Sequence, residues 1–214
     1  MLAQLVSLLV ENRRRRVPAL APEDRRAALI QATIPLLHEH GLEVSTRQIA
    51  AAAGVAEGTI FGVFESKTAL VVVSVIKALD PQVTIDGLNA VDRSLSLRDR
   101  LIQATELVHA RFTENAGLMH SARKLILAGM DAPEAQQRMA DNRERLQAAM
   151  VDLIEPDAAL LRRSPIETTR LFLLFCGANN YGPFGDPNNF RSDELVSLLL
   201  DGLLIRDENQ RGDQ

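Results

Sequence analysis

Ser45-Thr46-Arg47-Gln48-Ile49-Ala50-Ala51-Ala52-Ala53-Gly54-Val55-Ala56-Glu57-Gly58-Thr59-Ile60-Phe61-Gly62-Val63-Phe64 is the stretch whose reading decides the fold of this 214-residue chain. Ser45 and Gln48 stand three apart as a capping box, which satisfies two unpaired N–H groups at a helix start. The run that follows closes on Gly54, a residue that takes the left-handed C-cap conformation without a Cβ penalty. After the tight connection Gly54-Val55-Ala56, the spacing predicts a second short helix over Glu57 to Phe64. The small side chains of Ala50, Ala51, Ala52 and Ala53 let the two helices cross closely. Two short helices joined in this way have the geometry of a helix-turn-helix, whose second helix enters the DNA major groove.

Upstream, Pro22, Glu23 and Asp24 suit a helix first turn, and Ala27, Ile30, Ile34 and Leu37 recur at helical spacing before Gly41. Pro35, inside this helix, is expected to kink it or loosen a backbone bond. Downstream, Ser66 N-caps a helix running through Lys67, Leu70 and Val73 to about Leu79, so four helices fill residues 22–79. Pro81 and the mixed stretch to Arg93 punctuate the chain. The expected organisation is therefore a basic extension over 1–21, a helix-turn-helix domain over 22–80 and a larger helical domain over 81–214. Beyond the boundary, Ser96 with Asp99, Asp131 with Glu134, and Ser164-Pro165-Ile166-Glu167 read as helix starts. Helices are expected near 96–115, 118–129, 133–154, 165–179 and 192–205, with breaks at Gly117, Gly129, Pro156 and the loop 180–190.

Composition agrees with an all-α fold. Hydrophobic residues make up 46% of the chain and aromatics only 4%, with no Trp, which favours helices over a sheet of β-branched and aromatic side chains. The single Cys176 cannot form an internal disulfide, and no Cys/His cluster has zinc spacing, so no metal or cofactor is expected and a reducing cytoplasm fits. The apolar start Leu2 to Val10 lacks a preceding basic region and is too short to span a bilayer, so no membrane partner is expected. Residues 1–80 hold nine Lys+Arg against eight Asp+Glu, and 81–214 hold fifteen against twenty. The consecutive Arg13, Arg14, Arg15 and Arg16 make a local density suited to a polyanion. No phosphate loop, nucleophile elbow or carboxylate pair points to an enzyme.

The stretch Leu29-Ile30-Gln31-Ala32-Thr33, Leu36-Leu37, His40-Gly41, Thr46 to Ala50, Ala53-Gly54-Val55, Gly58-Thr59-Ile60-Phe61, Phe64 and Ser66-Lys67 resembles the TetR-type DNA-binding domain over about residues 25–70. The resemblance implies a three-helix domain whose fourth helix links it to a regulatory body, with a recognition helix made of Glu57 to Phe64. It implies that Thr46 and Lys67 contact phosphate, each at a helix start where free N–H groups and a positive partial charge favour an anion. Arg47 is the candidate for a bidentate contact to guanine. Glu57, Gly58, Thr59 and Phe61 face the groove, with Gly62 beside them, and Arg13 to Arg16 form an arm on the minor groove or backbone. The chain departs from the family pattern at Gly62 and Val63, where members commonly carry larger polar or aromatic residues.

The implied function is a sequence-specific regulator, a ligand-responsive repressor that acts as a homodimer on a palindromic double-stranded operator. Wide apolar faces on 165–179 and 192–205 exceed the stripe that a surface helix needs, which suits a four-helix dimer interface. A small-molecule effector would sit in the second domain, with His109, Phe112, Met119, Phe172, Phe175 and Asn179 as loose lining candidates. Gly62 and Val63 keep an alternative open: an all-α ligand-binding or interaction protein whose DNA binding is weakened or lost.

Overall fold

The computed structural model describes residues 21–127, 133–180 and 190–203, and every regular element among them is a helix. Helix α1 spans Pro22–His40, with Pro22 at its first position and Glu23 and Asp24 in its first turn. It continues through Pro35 as one helix. A 3₁₀ turn, Gly41–Glu43, follows, entered through Gly41 at φ 57°.

The capping box on the next helix is formed as read. Ser45 N–H donates to Gln48 Oε1 at 2.8 Å and Gln48 N–H to Ser45 Oγ at 3.2 Å, opening α2, Thr46–Ala53. Gly54 ends it in the left-handed conformation, φ 66° and ψ 31°. The third helix is shorter than expected: α3 is Gly58–Phe61, one turn, and Gly62 to Phe64 leave it as the N–H groups of Val63 and Phe64 both turn back to Ile60 O. Helix α4, Lys67–Ala78, starts where Ser66 Oγ accepts from Ala69 N–H at 3.1 Å.

The stretch read as a punctuated boundary is instead largely helical. Asp80 Oδ1 accepts from Gln82 N–H at 3.1 Å, and α5 runs Gln82–Ala90. Lys67–Ala90 has the length and apolar composition of a membrane span, yet in the fold it is two helices broken at Asp80-Pro81 and partly used as core. The expected break at Gly117 is also absent. Helix α6 is a single 31-residue element, Leu97–Leu127, opened by Ser96 and Asp99. One glycine costs a helix only about 0.5–1 kcal/mol, less than the packing on either side of it supplies. Helix α7 spans Pro133–Ile154; a 3₁₀ segment, Glu155–Leu160, leads to α8, Pro165–Asn180, behind the Ser164/Glu167 capping box; and α9 is Ser192–Leu203. Gly129 and the Asp131 helix start lie outside the described residues, as does most of the loop 180–190.

Buried side chains form two clusters. One gathers Leu29, Leu37, Ile49, Ile60, Phe64, Leu70 and Val75 from α1 to α4; the other gathers Leu101, Val108, Leu153, Phe172, Val196 and Leu200 from the later helices. Helix α6 belongs to both. Leu101 to Val108 lie in the second cluster, while Leu118 is fully buried in the first, with Met119 and Met139 packed against it. The N-terminal core is thus completed by a helix that also belongs to the second cluster.

On α9, Leu195, Val196, Leu199 and Leu200 are buried by their own chain, which absorbs much of the wide apolar face. What stays outside includes Leu198 at 62% exposure, together with Ile166, Leu174 at 66% and Phe175 at 41% on α8.

Candidate nucleic-acid interface

The starts of α2, α3 and α4 are tied together by side chains. Thr46 Oγ1, at the first position of α2, donates to the carboxylate of Glu57, the residue before α3. Lys67 Nζ, at the first position of α4, donates to the carbonyl of Leu42, three residues ahead of the α2 cap, at 3.3 Å. Helix starts present unpaired N–H groups and partial positive charge, so this arrangement adds the fields of α2 and α4 to the charges of Arg47 and Lys67.

The DNA-contact candidates between Thr46 and Lys67 can each be placed. Arg47, Glu57, Gly58, Phe61 and Gly62 are exposed, and Phe61 shows 55% of its surface. Thr46, Thr59 and Lys67 are half-buried. Between them Ile49, Ala50 and Ile60 point into the core, so alternate faces of α2 and α3 are divided between packing and solvent. An exposed phenylalanine on a one-turn helix is not holding the core, and its ring is free to meet a ligand surface. Behind it, the Arg26 guanidinium lies 4.3 Å from the centre of the Phe64 ring, fixing the end of this segment against α1. A Cβ on Gly62 would meet nothing closer than Thr59 O at 3.5 Å, and its φ of −79° is ordinary, so the fold itself does not demand glycine there.

The electrostatics carry a qualification invisible in the whole-chain count. Over residues 22–80 there are five Lys+Arg and seven Asp+Glu, and Glu57 places a carboxylate at the centre of the exposed set. The basic balance of the first third therefore rests on Arg13, Arg14, Arg15 and Arg16, which lie outside the described residues.

A joint that the sequence did not reveal connects this surface to the body. The C-terminal carbonyls of α4 are gripped from two helices: Arg111 of α6 donates to Leu79 O and, at 3.2 Å, to Asp80 O, and Asn142 of α7 donates to Leu79 O at 3.4 Å. The Asp80 carboxylate pairs with Lys77 at 3.3 Å and with Arg145 of α7 at 3.2 Å, and Arg145 also bonds Gln82. Partial burial works to raise the Asp80 pKa, but the Gln82 N–H, Lys77 and Arg145 hold it below the usual 3.8. Apart from the local Lys77–Asp80 pair, these partners are 31 to 65 residues apart, and spacing gives no signal for them.

The six effector candidates do not converge. His109 is half-buried on α6; Phe112 packs near Gly177; Met119 lies against the N-terminal cluster; Phe172 is core; Phe175 is exposed; and Asn179 has no described side chain. Cys176 is buried beside Thr105, and desolvation pushes its thiol up to about 12, the state of a packing residue rather than a nucleophile.

Residues 29–73 match the family of bacterial regulatory proteins, tetR family. No curated protein sequence matches the chain. The fold is similar to that of a Mesorhizobium loti protein assigned to the TetR-family transcriptional regulators, with TM-score 0.64 and 15% identity over 87% of this chain and 100% of that one. It is similar to a regulatory protein in the tetR family from Rhodococcus RHA1, with TM-score 0.60 and 16% identity over 86% and 98%. A third similar structure is a Saccharomonospora viridis protein assigned as a transcriptional regulator and solved with choline, with TM-score 0.63 and 14% identity over 86% and 100%. The segment around the helix-turn-helix, residues 29–73, thus matches the model of the tetR family of bacterial regulatory proteins, and the chain shares the fold of these three structures.

Proposed function

We propose that the chain is a ligand-responsive repressor that binds a near-palindromic operator as a homodimer. The observation that carries the DNA-binding part is the gathering of the α2 and α4 starts by the Thr46–Glu57 and Lys67–Leu42 contacts, with Arg47 and Phe61 exposed beside them. In this reading Thr46 and Lys67 take phosphates, Arg47 reads a guanine, and Glu57, Gly58, Thr59, Phe61 and Gly62 meet the groove. Arg13 to Arg16 supply the sequence-independent attraction that residues 22–80 lack. We place the domain division at residues 80 and 81, at the α4–α5 joint.

The dimer reading is supported by Leu174, Phe175 and Leu198, large apolar side chains left outside on α8 and α9. Packed against their symmetry mates they make a four-helix interface. Sedimentation of the parent protein as a dimer, and of Leu174→Glu/Leu198→Glu as a folded monomer, is the expected result; a monomeric parent overturns it. Response to a small molecule is supported by the choline held by one protein of this fold. Release of the operator follows when a ligand favours the conformation that binds DNA less well.

The central test is selection of binding sites from a random DNA pool. Recovery of two-fold symmetric sites is expected, with half-site centres about one helical turn or a multiple apart. Failure to enrich any sequence favours the second reading, an all-α ligand-binding or interaction protein, which the acidic balance of residues 22–80 supports.

A further inference from the structure

A cleft of about 560 Å³ lies at the seam of α6 and α9, between Ile102, Glu106 and His109 of α6 and the segment Phe190 to Asp193 that opens α9. The two helices run antiparallel. One end of the seam is sealed by Arg98, which donates to Ser197 Oγ at 2.7 Å and pairs with Asp201 at 3.5 Å. The cleft sits further along α6, where positions 102, 106 and 109 succeed one another at i, i+4 and i+7 and so line one stripe of the helix.

The charges around this cleft do not cancel. Arg191 grips Asp193 through two bonds, Nε to Oδ1 at 3.0 Å and Nη2 to Oδ2 at 2.7 Å, so that pair is internally neutral. The backbone N–H of Arg191 donates to Glu194 Oε2 at 3.0 Å, which commits that carboxylate to the start of α9. Desolvation lowers the His109 pKa from 6.5, leaving its imidazole neutral at pH 7. Among the described residues Glu106 makes no hydrogen bond or ion pair, so its carboxylate is the unmatched charge of the cleft lining. Apolar surface flanks it in Ile102, half-buried, and in the Phe190 ring, 51% exposed.

We propose that this cleft binds a small amphipathic organic cation, its ammonium group paired with Glu106 and set against the Phe190 ring, its apolar body along Ile102. The volume falls within the range of small-molecule sites. A ring face and a carboxylate attract a cation together, while an anion meets Glu106 with like charge. A metal ion is a poorer occupant, since no group of three His, Cys, Asp or Glu among the described residues is placed to hold one. The inference rests on the ligand-responsive reading and adds to it a place and a charge for the effector.

The test uses the full chain and three probes of one shape: 4-phenylbutylammonium, 4-phenylbutanol and 4-phenylbutyrate, measured by calorimetry. The ammonium probe is expected to bind up to about fivefold tighter than the alcohol, the weight of one exposed ion pair, and the carboxylate weakest. Glu106→Gln should abolish that preference while leaving the alcohol unchanged, and Glu106→Asp should retain part of it. Phe190→Ala should weaken the ammonium probe more than the alcohol. Equal binding of the three probes, no binding, or a preference that survives Glu106→Gln overturns the site. Gel-shift titration with each probe separates the two readings. Cation binding without change in DNA affinity keeps the site and removes its regulatory role, whereas DNA binding by a protein that ignores the cation removes the site alone.

Discussion

Replacing Arg111 by Met takes away the guanidinium that α6 extends to the C-terminal carbonyls of α4, Leu79 O and Asp80 O. Hydrogen bonds to a charged group contribute about 1.5–3 kcal/mol net. Leu79 O keeps its bond from Asn142 and Arg111 is only half-buried, so we take that range for the pair of bonds together. For a protein of this size each kcal/mol moves the melting temperature by about 2–4 °C, giving an expected fall of about 3–12 °C. The second effect is geometric. Helix α4 has 12 residues, and at about 1.5 Å per residue it is a lever about 18 Å long from the grip at Leu79 to Lys67. A swing of about 10° at the gripped end carries Lys67 about 3 Å, the length of a whole hydrogen bond. Operator affinity should therefore drop by more than the unfolded fraction accounts for, read by gel shift well below the melting temperature. A melting temperature within about 1 °C of the parent would refute the energetic part. Unchanged affinity in a variant that does melt earlier would refute the lever, leaving the joint a role in stability alone.

Three further outcomes are expected. Ser45→Ala removes the side-chain half of the capping box on α2 and should cost about 0.5–2 kcal/mol, measured by urea unfolding. Arg47→Ala should cost roughly 1–3 kcal/mol of operator binding and relax one base position per half-site, whereas Lys67→Ala should weaken all sequences alike and lower the salt slope by about one; identical behaviour of the two would show that their roles are not divided. Because the Asp80 carboxyl is held below its ordinary 3.8, its ion pairs stabilise the fold at neutral pH, and that contribution is lost as the pH falls below 3.8 and through the folded-state value. Asp80→Asn should flatten the acid limb of the unfolding curve, and an unchanged limb would place the acid sensitivity elsewhere.

The signals that were legible in the sequence were local ones. The Ser45/Gln48 box, the Gly54 C-cap, Ser66, Ser96/Asp99 and Ser164/Glu167 each act within four residues, so helix starts could be read without knowing what surrounds them. Composition favoured helices over a sheet for a similar reason, since propensity is a property of each residue with its near neighbours. The errors came where a local signal met a larger packing energy. Gly117 read as a break, yet α6 runs through it because its two halves are held by different cores, at Val108 on one side and Leu118 on the other. Asp80-Pro81 marked a real interruption, but the residues after it form α5 because Asp80 caps Gln82 and Leu88 is fully buried. Leu199 and Leu198 are adjacent and chemically alike; only the position of α6 and α8 around α9 makes one core and leaves the other outside. The Arg111, Asn142 and Arg145 grip on α4, and the placing of Glu106 and Phe190 on one cleft, bring together residues 31 to 84 positions apart. The sequence by itself thus determined that the chain is helical, where its capped helices start and that two short ones stand as a helix-turn-helix, because capping and periodicity are short-range. The tertiary structure decided which helices share a core, how the N-terminal helices are held and which side chains line the α6–α9 cleft, because those depend on distances that only the folded chain sets.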